Sequence, residues 1–272
     1  MRQPKLIAVT GKKGIGKSVK TLTDLFSKYS NNRKILLIDV NSEYGNFHTG
    51  SKIFKVKRIG LKDIALFSNH PVIEPRRLVL QNQDGTYMDF EQKEAAICQA
   101  IETFRNGCLV IEDLNTVFGD SLPVRISGLL CNNRQRNADV FIHLQSIGRV
   151  LPKMYQNINL FRLHKQYDAI EQSQNKLGAE YEMFKIAYTI VENQYNAGNH
   201  YCCVYVDRDD SKIKGAFSMS ELKQAVNQHL QSDIKHLNSE LNKRDNKGRK
   251  VNNYTQALNI LSNKLFQKYY QN

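Results

Sequence analysis

The segment Gly11-Lys-Lys-Gly-Ile-Gly-Lys-Ser18 constrains this 272-residue chain more than any other feature. It reads G-x-x-x-x-G-K-S, and it joins a β-branched run at 5–10 to a helical pattern at 17–29. Glycines let such a loop wrap closely around a phosphate, so that backbone N–H groups and the following helix N-terminus point at negative charge. Gly11, Lys12, Lys13, Gly14, Ile15, Gly16, Lys17, Ser18 and Val19 are therefore the candidate nucleotide-binding residues. Lys17 is expected to bridge the β- and γ-phosphates of ATP, and the Ser18 hydroxyl to take one position on Mg²⁺. Four fixed positions match by accident in a chain of this length about one time in a hundred, and the strand-to-helix setting lowers that further.

Such a loop requires its own architecture. Strand-like runs at 5–10, 34–40, 76–81, 108–113, 139–145 and 159–165 alternate with helical patterns at 17–29, 90–105, 122–137 and 169–196. This predicts an α/β, P-loop NTPase fold with a mostly parallel central sheet flanked by helices, plus a helical C-terminal extension. The expected domains are 1–217, the ATPase, and 218–272, a basic helical extension. Within the latter, Ser218-Met-Ser-Glu221 resembles a capping box, 235–253 reads as a mobile polar linker, and 254–270 regains helical spacing. A strand pair is expected at 200–207 and 212–217.

Central strands end where chemistry belongs. Cys108-Leu-Val-Ile-Glu-Asp113 is apolar on both faces and then supplies two acids. Glu112 is assigned to the magnesium shell with Ser18, and Asp113 to the attacking water, although the two acids stand in the reverse of the usual Asp-Glu order. His143 and His164 fall inside strand patterns and read as core histidines.

The P-loop, Ile38-Asp-Val-Asn-Ser-Glu-Tyr44, the Glu112-Asp113 strand end and Asn133-Arg-Gln-Arg-Asn-Ala-Asp-Val-Phe-Ile-His-Leu-Gln145 together resemble the FtsK/HerA superfamily of DNA-pumping ATPases. That superfamily includes viral genome-packaging ATPases and zonula occludens toxin-like phage assembly proteins. The resemblance spans about 5–165. It implies that Gln145 contacts the γ-phosphate or the water. It also implies that an arginine reaches the next subunit's site: Arg134 holds the matching place, with Arg136 and Arg125 as alternatives. Asp39, Glu43 and Tyr44 fall in the family's Asp…Glu-Tyr segment. Lys12 invites a partition-type ATPase, but Lys13 stands where that family has glycine.

Net charge of +13 favours a polyanionic partner. With the resemblance, it implies double-stranded DNA, a homo-oligomeric ring of five or six copies, and a capsid or portal-vertex partner. The apolar runs fall short of the ~20 residues of a membrane span, the five cysteines lack Cys-x-x-Cys spacing, and no signal peptide is apparent. The expected setting is cytoplasmic, in a host cell or a virion.

Overall fold

The computed structural model describes residues 3–28, 33–49, 52–82, 84–119 and 122–270. They form two compact units, 1–160 and 161–272. Residues 217 and 218, the expected boundary, both fall inside the second unit.

The first unit is built on short, buried strands. In chain order its elements are β1 (Leu6–Thr10), α1 (Lys17–Lys28), β2 (Lys34–Asp39), β3 (Asn46–Thr49), β4 (Lys52–Lys55), β5 (Lys57–Arg58) and α2 (Ile64–Asn69). They continue with β6 (Pro75–Val79), α3 (Phe90–Thr103), β7 (Gly107–Ile111), α4 (Leu114–Phe118), α5 (Val124–Cys131), β8 (Asp139–Leu144) and α6 (Pro152–Asn157). Strands β1, β8, β7, β2, β6 and β5 lie side by side in that order, and every neighbouring pair is parallel. Parallel pairing needs a crossover between strands, and the helices supply it. The expected P-loop NTPase fold is therefore present, with one addition that the sequence pattern does not announce: β3 and β4 pair antiparallel as a separate hairpin.

One face of this sheet is packed beneath α1. Ile7 and Val9 of β1, Ile35 and Leu37 of β2, Cys108 and Val110 of β7, and Phe141 of β8 join Leu22, Leu25 and Phe26 of α1 in a single buried cluster. Each fully buried branched side chain is worth roughly 1.5–3 kcal/mol, so this layer fixes α1, and with it the P-loop, to the sheet. At the other end of the strands Asp139, fully buried, accepts from the Lys5 N–H at 2.7 Å and from Arg33 Nη1 at 2.5 Å.

The second unit starts with Phe161 of β9 (Leu160–Leu163) and contains α7 (Gln174–Leu177), α8 (Tyr181–Asn196), β10 (Val204–Asp207), β11 (Lys212–Gly215), α9 (Met219–Ser232), α10 (Ile234–Leu241) and α11 (Tyr254–Tyr269). The expected strand pair is β10 and β11, antiparallel. The expected capping box at Ser218 and Glu221 is present and starts α9. Two helical expectations change. Residues 169–196 divide into short turns and α8, with Gly178 at φ 52° breaking the path. Residues 122–137 end as a 3₁₀ turn, Asn133–Arg136, closed by Asn137 at φ 50°.

The segment 235–253, expected as a linker, contains most of α10 and a turn. Leu237 and Glu240 are buried on α10, and the following turn closes around Asp245, whose Oδ1 accepts from the N–H groups of Lys247 and Arg249 at 2.8 and 2.9 Å. One carboxylate bonding its own loop substitutes for the missing apolar contacts.

Asp139→Ala should cost about 2–4 kcal/mol, because it removes the fully buried acceptor shared by a half-buried amide and a guanidinium. A lowered urea midpoint with an unchanged slope would report this, whereas an unchanged midpoint would contradict it.

Candidate nucleotide and metal site

Side chains alternate across a strand, so the apolar column beneath α1 sets which residues share its face at the strand tips. On β2 the residues after Ile35 and Leu37 lead to Asp39; on β7, Cys108 and Val110 lead to Glu112; on β8, Phe141 leads to His143 and Gln145. The register aligns Val9 with His143 and Ile111 with Ile142 and Ile38. Asp39, Glu112 and His143 therefore form a polar row that continues the same face. Above it, Ser18 and Thr21 share one side of α1, being three residues apart.

The loop itself takes the backbone that its glycines allow. Gly14 and Gly16 have φ of 76° and 82°, which would strain any residue with a Cβ. Gly11 N–H donates to Leu144 O at 3.2 Å, anchoring the loop to the end of β8. The Lys17 ammonium donates to the carbonyls of Gly11 at 2.7 Å and Lys12 at 3.0 Å. Burial lowers the Lys17 pKa, and the charges of Asp113 and Glu112 offset only part of that.

Glu112 is the hub. Its Oε2 accepts from Ser18 Oγ at 2.9 Å and from Tyr44 Oη at 2.6 Å. Its Oε1 lies 3.2 Å from His143 Nδ1, yet is buried with no hydrogen bond. Thr21 Oγ1 meets the other ring nitrogen of His143 at 2.9 Å, closing a chain from α1 through β8 to β7. Burial alone would raise the Glu112 pKa, but His143 and the Tyr44 and Ser18 hydroxyls outweigh it and hold the carboxyl below its ordinary value. The same proximity, added to burial, pushes the Tyr44 phenol up, so it stays a donor.

Asp39 plays a supporting part. Fully buried, it accepts from the N–H groups of Glu43 at 3.0 Å and Tyr44 at 3.1 Å, and from Arg77 Nη1 at 2.8 Å. It shapes the loop that delivers Tyr44.

No group of three or more His, Cys, Asp or Glu among the described residues could hold a metal by itself. Magnesium does not need one, since it takes most ligands from water and phosphate. A hydroxyl hydrogen-bonded to a buried carboxylate, beside the phosphate loop, fits that ion, and Ser18 with Glu112 would hold it. When bound, it would neutralise charge developing on the phosphates.

The other expected residues divide between the two ends of the strands. Asp113 is half-buried at φ 46°, in the left-handed region, where the chain leaves β7 for α4. Gln145 is half-buried next to the carbonyl that anchors Gly11. Val19 is 56% exposed in the first turn of α1, while Ile15 is buried. Arg134 is exposed just before β8, at the sheet edge opposite to the P-loop. The two alternatives to it are engaged: Arg136 is buried and donates to Leu129 O, and Arg125 pairs with Glu102 at 2.9 Å. His143, expected as a core histidine, is buried and partnered by Thr21; the register adds what the sequence does not show, that it also stands beside Glu112.

No protein-family model matches the chain, and no curated protein matches it. Several solved structures are similar in fold. The genome packaging NTPase B204 from Sulfolobus turreted icosahedral virus 2, in complex with ATP-gammaS, is 20% identical over 79% of this chain and 97% of that one, with a TM-score of 0.47. The N-terminal domain of zonular occludens toxin from Neisseria meningitidis is 13% identical over 59% and 76%, with a TM-score of 0.33. The Legionella pneumophila ATPase DotB is 12% identical over 61% and 42%, with a TM-score of 0.36.

A carboxyl whose folded pKa is depressed contributes stability that is present above its unfolded pKa and lost as pH falls through the folded value. Glu112 therefore stabilises the chain fully above about 4.5, the ordinary glutamate value. In urea titrations between pH 3 and 6, the advantage of the wild type over Glu112→Gln should shrink as pH drops below that point. A difference that stays constant over the whole range would rule out a charged, hydrogen-bonded Glu112.

Proposed function

We propose that this chain is a magnesium-dependent ATPase that moves double-stranded DNA as a ring of five or six copies, in the manner of a genome-packaging motor. The observation that carries the nucleotide half of this reading is the 2.9 Å bond from Ser18 to Glu112, which joins the P-loop helix to the acid-bearing strand. In the proposed cycle Lys17 exchanges its loop carbonyls for the β- and γ-phosphates of ATP, and the N–H groups of residues 11–19 surround the β-phosphate. Glu112 and Ser18 hold the metal. Asp113 takes a proton from the attacking water, and Gln145 orients that water or the γ-phosphate.

The oligomeric half rests on Arg134. It lies before the first residue of β8, whereas Gln145 follows the last; six residues at about 3.3 Å each separate the two edges by ~20 Å. A side chain cannot cover that distance, so Arg134 has no access to its own P-loop. In a ring, that edge meets a neighbour's nucleotide, where a guanidinium stabilises charge in the transition state.

Charge supports the DNA partner. The turn after α10 exposes Lys243, Arg244, Lys247, Arg249 and Lys250, and Asp245 shapes it from within. A motor that grips a regular phosphate backbone needs cations rather than base-reading groups. None of the helices is long and apolar enough to cross a membrane, among the described residues. A capsid or portal vertex would be the docking partner, in a host cytoplasm or a virion.

The test is the ATPase rate with and without duplex DNA, on wild type and on mixtures of Arg134→Ala with Glu112→Gln subunits. Duplex DNA should raise the wild-type rate at least tenfold, on the order expected when a partner completes a catalytic site. The mixtures should recover activity that neither variant has alone. A rate indifferent to DNA would instead favour a nucleotide switch, and no recovery at any mixing ratio would remove Arg134 from the neighbour's site.

A further inference from the structure

The second donor on Glu112 has no part in the proposed cycle. Tyr44 Oη reaches the same carboxylate oxygen as Ser18, at 2.6 Å. A carboxylate oxygen has two lone-pair sites, so these two hydroxyls fill Oε2 and fix the carboxylate plane.

Tyr44 also stands at the foot of the β3–β4 hairpin. Its backbone N–H is held by Asp39 Oδ2, which accepts Arg77 Nη1 as well. Arg77 Nε in turn donates to Val56 O at 3.3 Å, and Val56 N–H donates to Gly45 O at 3.1 Å. Gly45 and Val56 flank the hairpin on its two sides, immediately before Asn46 and after Lys55. A Cβ at Gly45 would come within 3.0 Å of Arg77 Nη2, so glycine there lets the guanidinium lie across both sides. Below this knot Val56 belongs to the core cluster beneath α1, and the Tyr44 ring packs against it. One phenol thus connects the acid of the candidate metal site to a fastened hairpin base.

Among the described residues, the hairpin strands pair only with each other, β3 to β4, apart from the main sheet. The Tyr44 hydroxyl makes the side-chain bond between Glu112 and the residue that precedes this hairpin base.

We propose that Tyr44 is a positioning residue: it fixes Glu112 toward Ser18 and ties that acid to the foot of the β3–β4 hairpin, so that the hairpin responds to metal and nucleotide. This deepens the nucleotide reading and rests on it. The hydroxyl makes the connection and the ring fills the core, which allows the two to be separated by Tyr44→Phe.

Backbone hydrogen exchange at 46–49 and 52–55 tests the proposal on the full chain, with ATPγS and Mg²⁺ added separately and together. In the wild type, Mg²⁺ with ATPγS should change exchange in both strands. In Tyr44→Phe the strands should already exchange several-fold faster, and the response to Mg²⁺ with ATPγS should be lost. Binding of a fluorescent ATPγS analogue without metal should be equal in the two proteins, while the Mg²⁺ concentration giving half-maximal enhancement should rise on the order of tenfold in the variant, as for other outer partners of a metal ligand. A wild-type hairpin that ignores Mg²⁺ with ATPγS, or a variant hairpin that still responds, overturns the coupling while leaving nucleotide binding intact. Failure of the wild type to bind the analogue overturns the nucleotide reading and the coupling with it.

Discussion

A buried carboxylate is the constraint around which this chain is arranged. Glu112 is 6% exposed at the end of a central strand, where an unpaired charge would be costly. It is retained in charged form because three different elements bring groups to it: α1 brings Ser18, the loop after β2 brings Tyr44, and β8 brings His143. Removing any one leaves the others bonded to a less well compensated charge. The apolar layer below α1 makes this convergence possible, since it fixes the height of the helix over the strand tips to within the reach of a serine hydroxyl.

The two edges of the sheet do different work. At the C-terminal edge lie the P-loop, Glu112, Asp113 and Gln145, consistent with the rule that ligands of open α/β sheets bind beyond the carboxyl ends of the strands. At the other edge, Asp139 fastens Lys5 and Arg33, and Arg136 fastens the end of α5. Arg134 stands out there because its neighbours in sequence are committed to structure. The proposed ring would use this exposed cation on the edge away from its own phosphates, while the proposed nucleotide site stands on the Ser18–Glu112 bond.

Much of this is legible in the residues. Glycines at fixed spacing and strands that end in acid are local signals, and they locate the P-loop, β1, β2, β7 and β8 to within a residue or two. The role of His143 is not, because a histidine amid apolar neighbours looks the same in sequence whether it packs or bonds; only the register beside Glu112 distinguishes the two. The β3–β4 hairpin escapes notice because Asn46-Phe-His-Thr49 and Lys52-Ile-Phe-Lys55 are only four residues each, too short for alternation to stand out. The turn after α10 looks mobile because it has few apolar residues, yet Asp245 orders it with hydrogen bonds to its own backbone. Long-range polar partners and loop-internal carboxylates are where a linear reading loses the information.

The central claim is that Ser18 and Glu112 form one site for a metal-bound triphosphate. Calorimetric titration of ATPγS into the wild type and Ser18→Ala, with and without Mg²⁺, addresses it most directly. The account predicts that Mg²⁺ tightens binding to the wild type by tenfold or more, the range found when a metal's ligand shell is disturbed, and that Ser18→Ala binds the metal-free nucleotide but loses this gain. Equal enhancement by Mg²⁺ in both proteins, or none in the wild type, would contradict it.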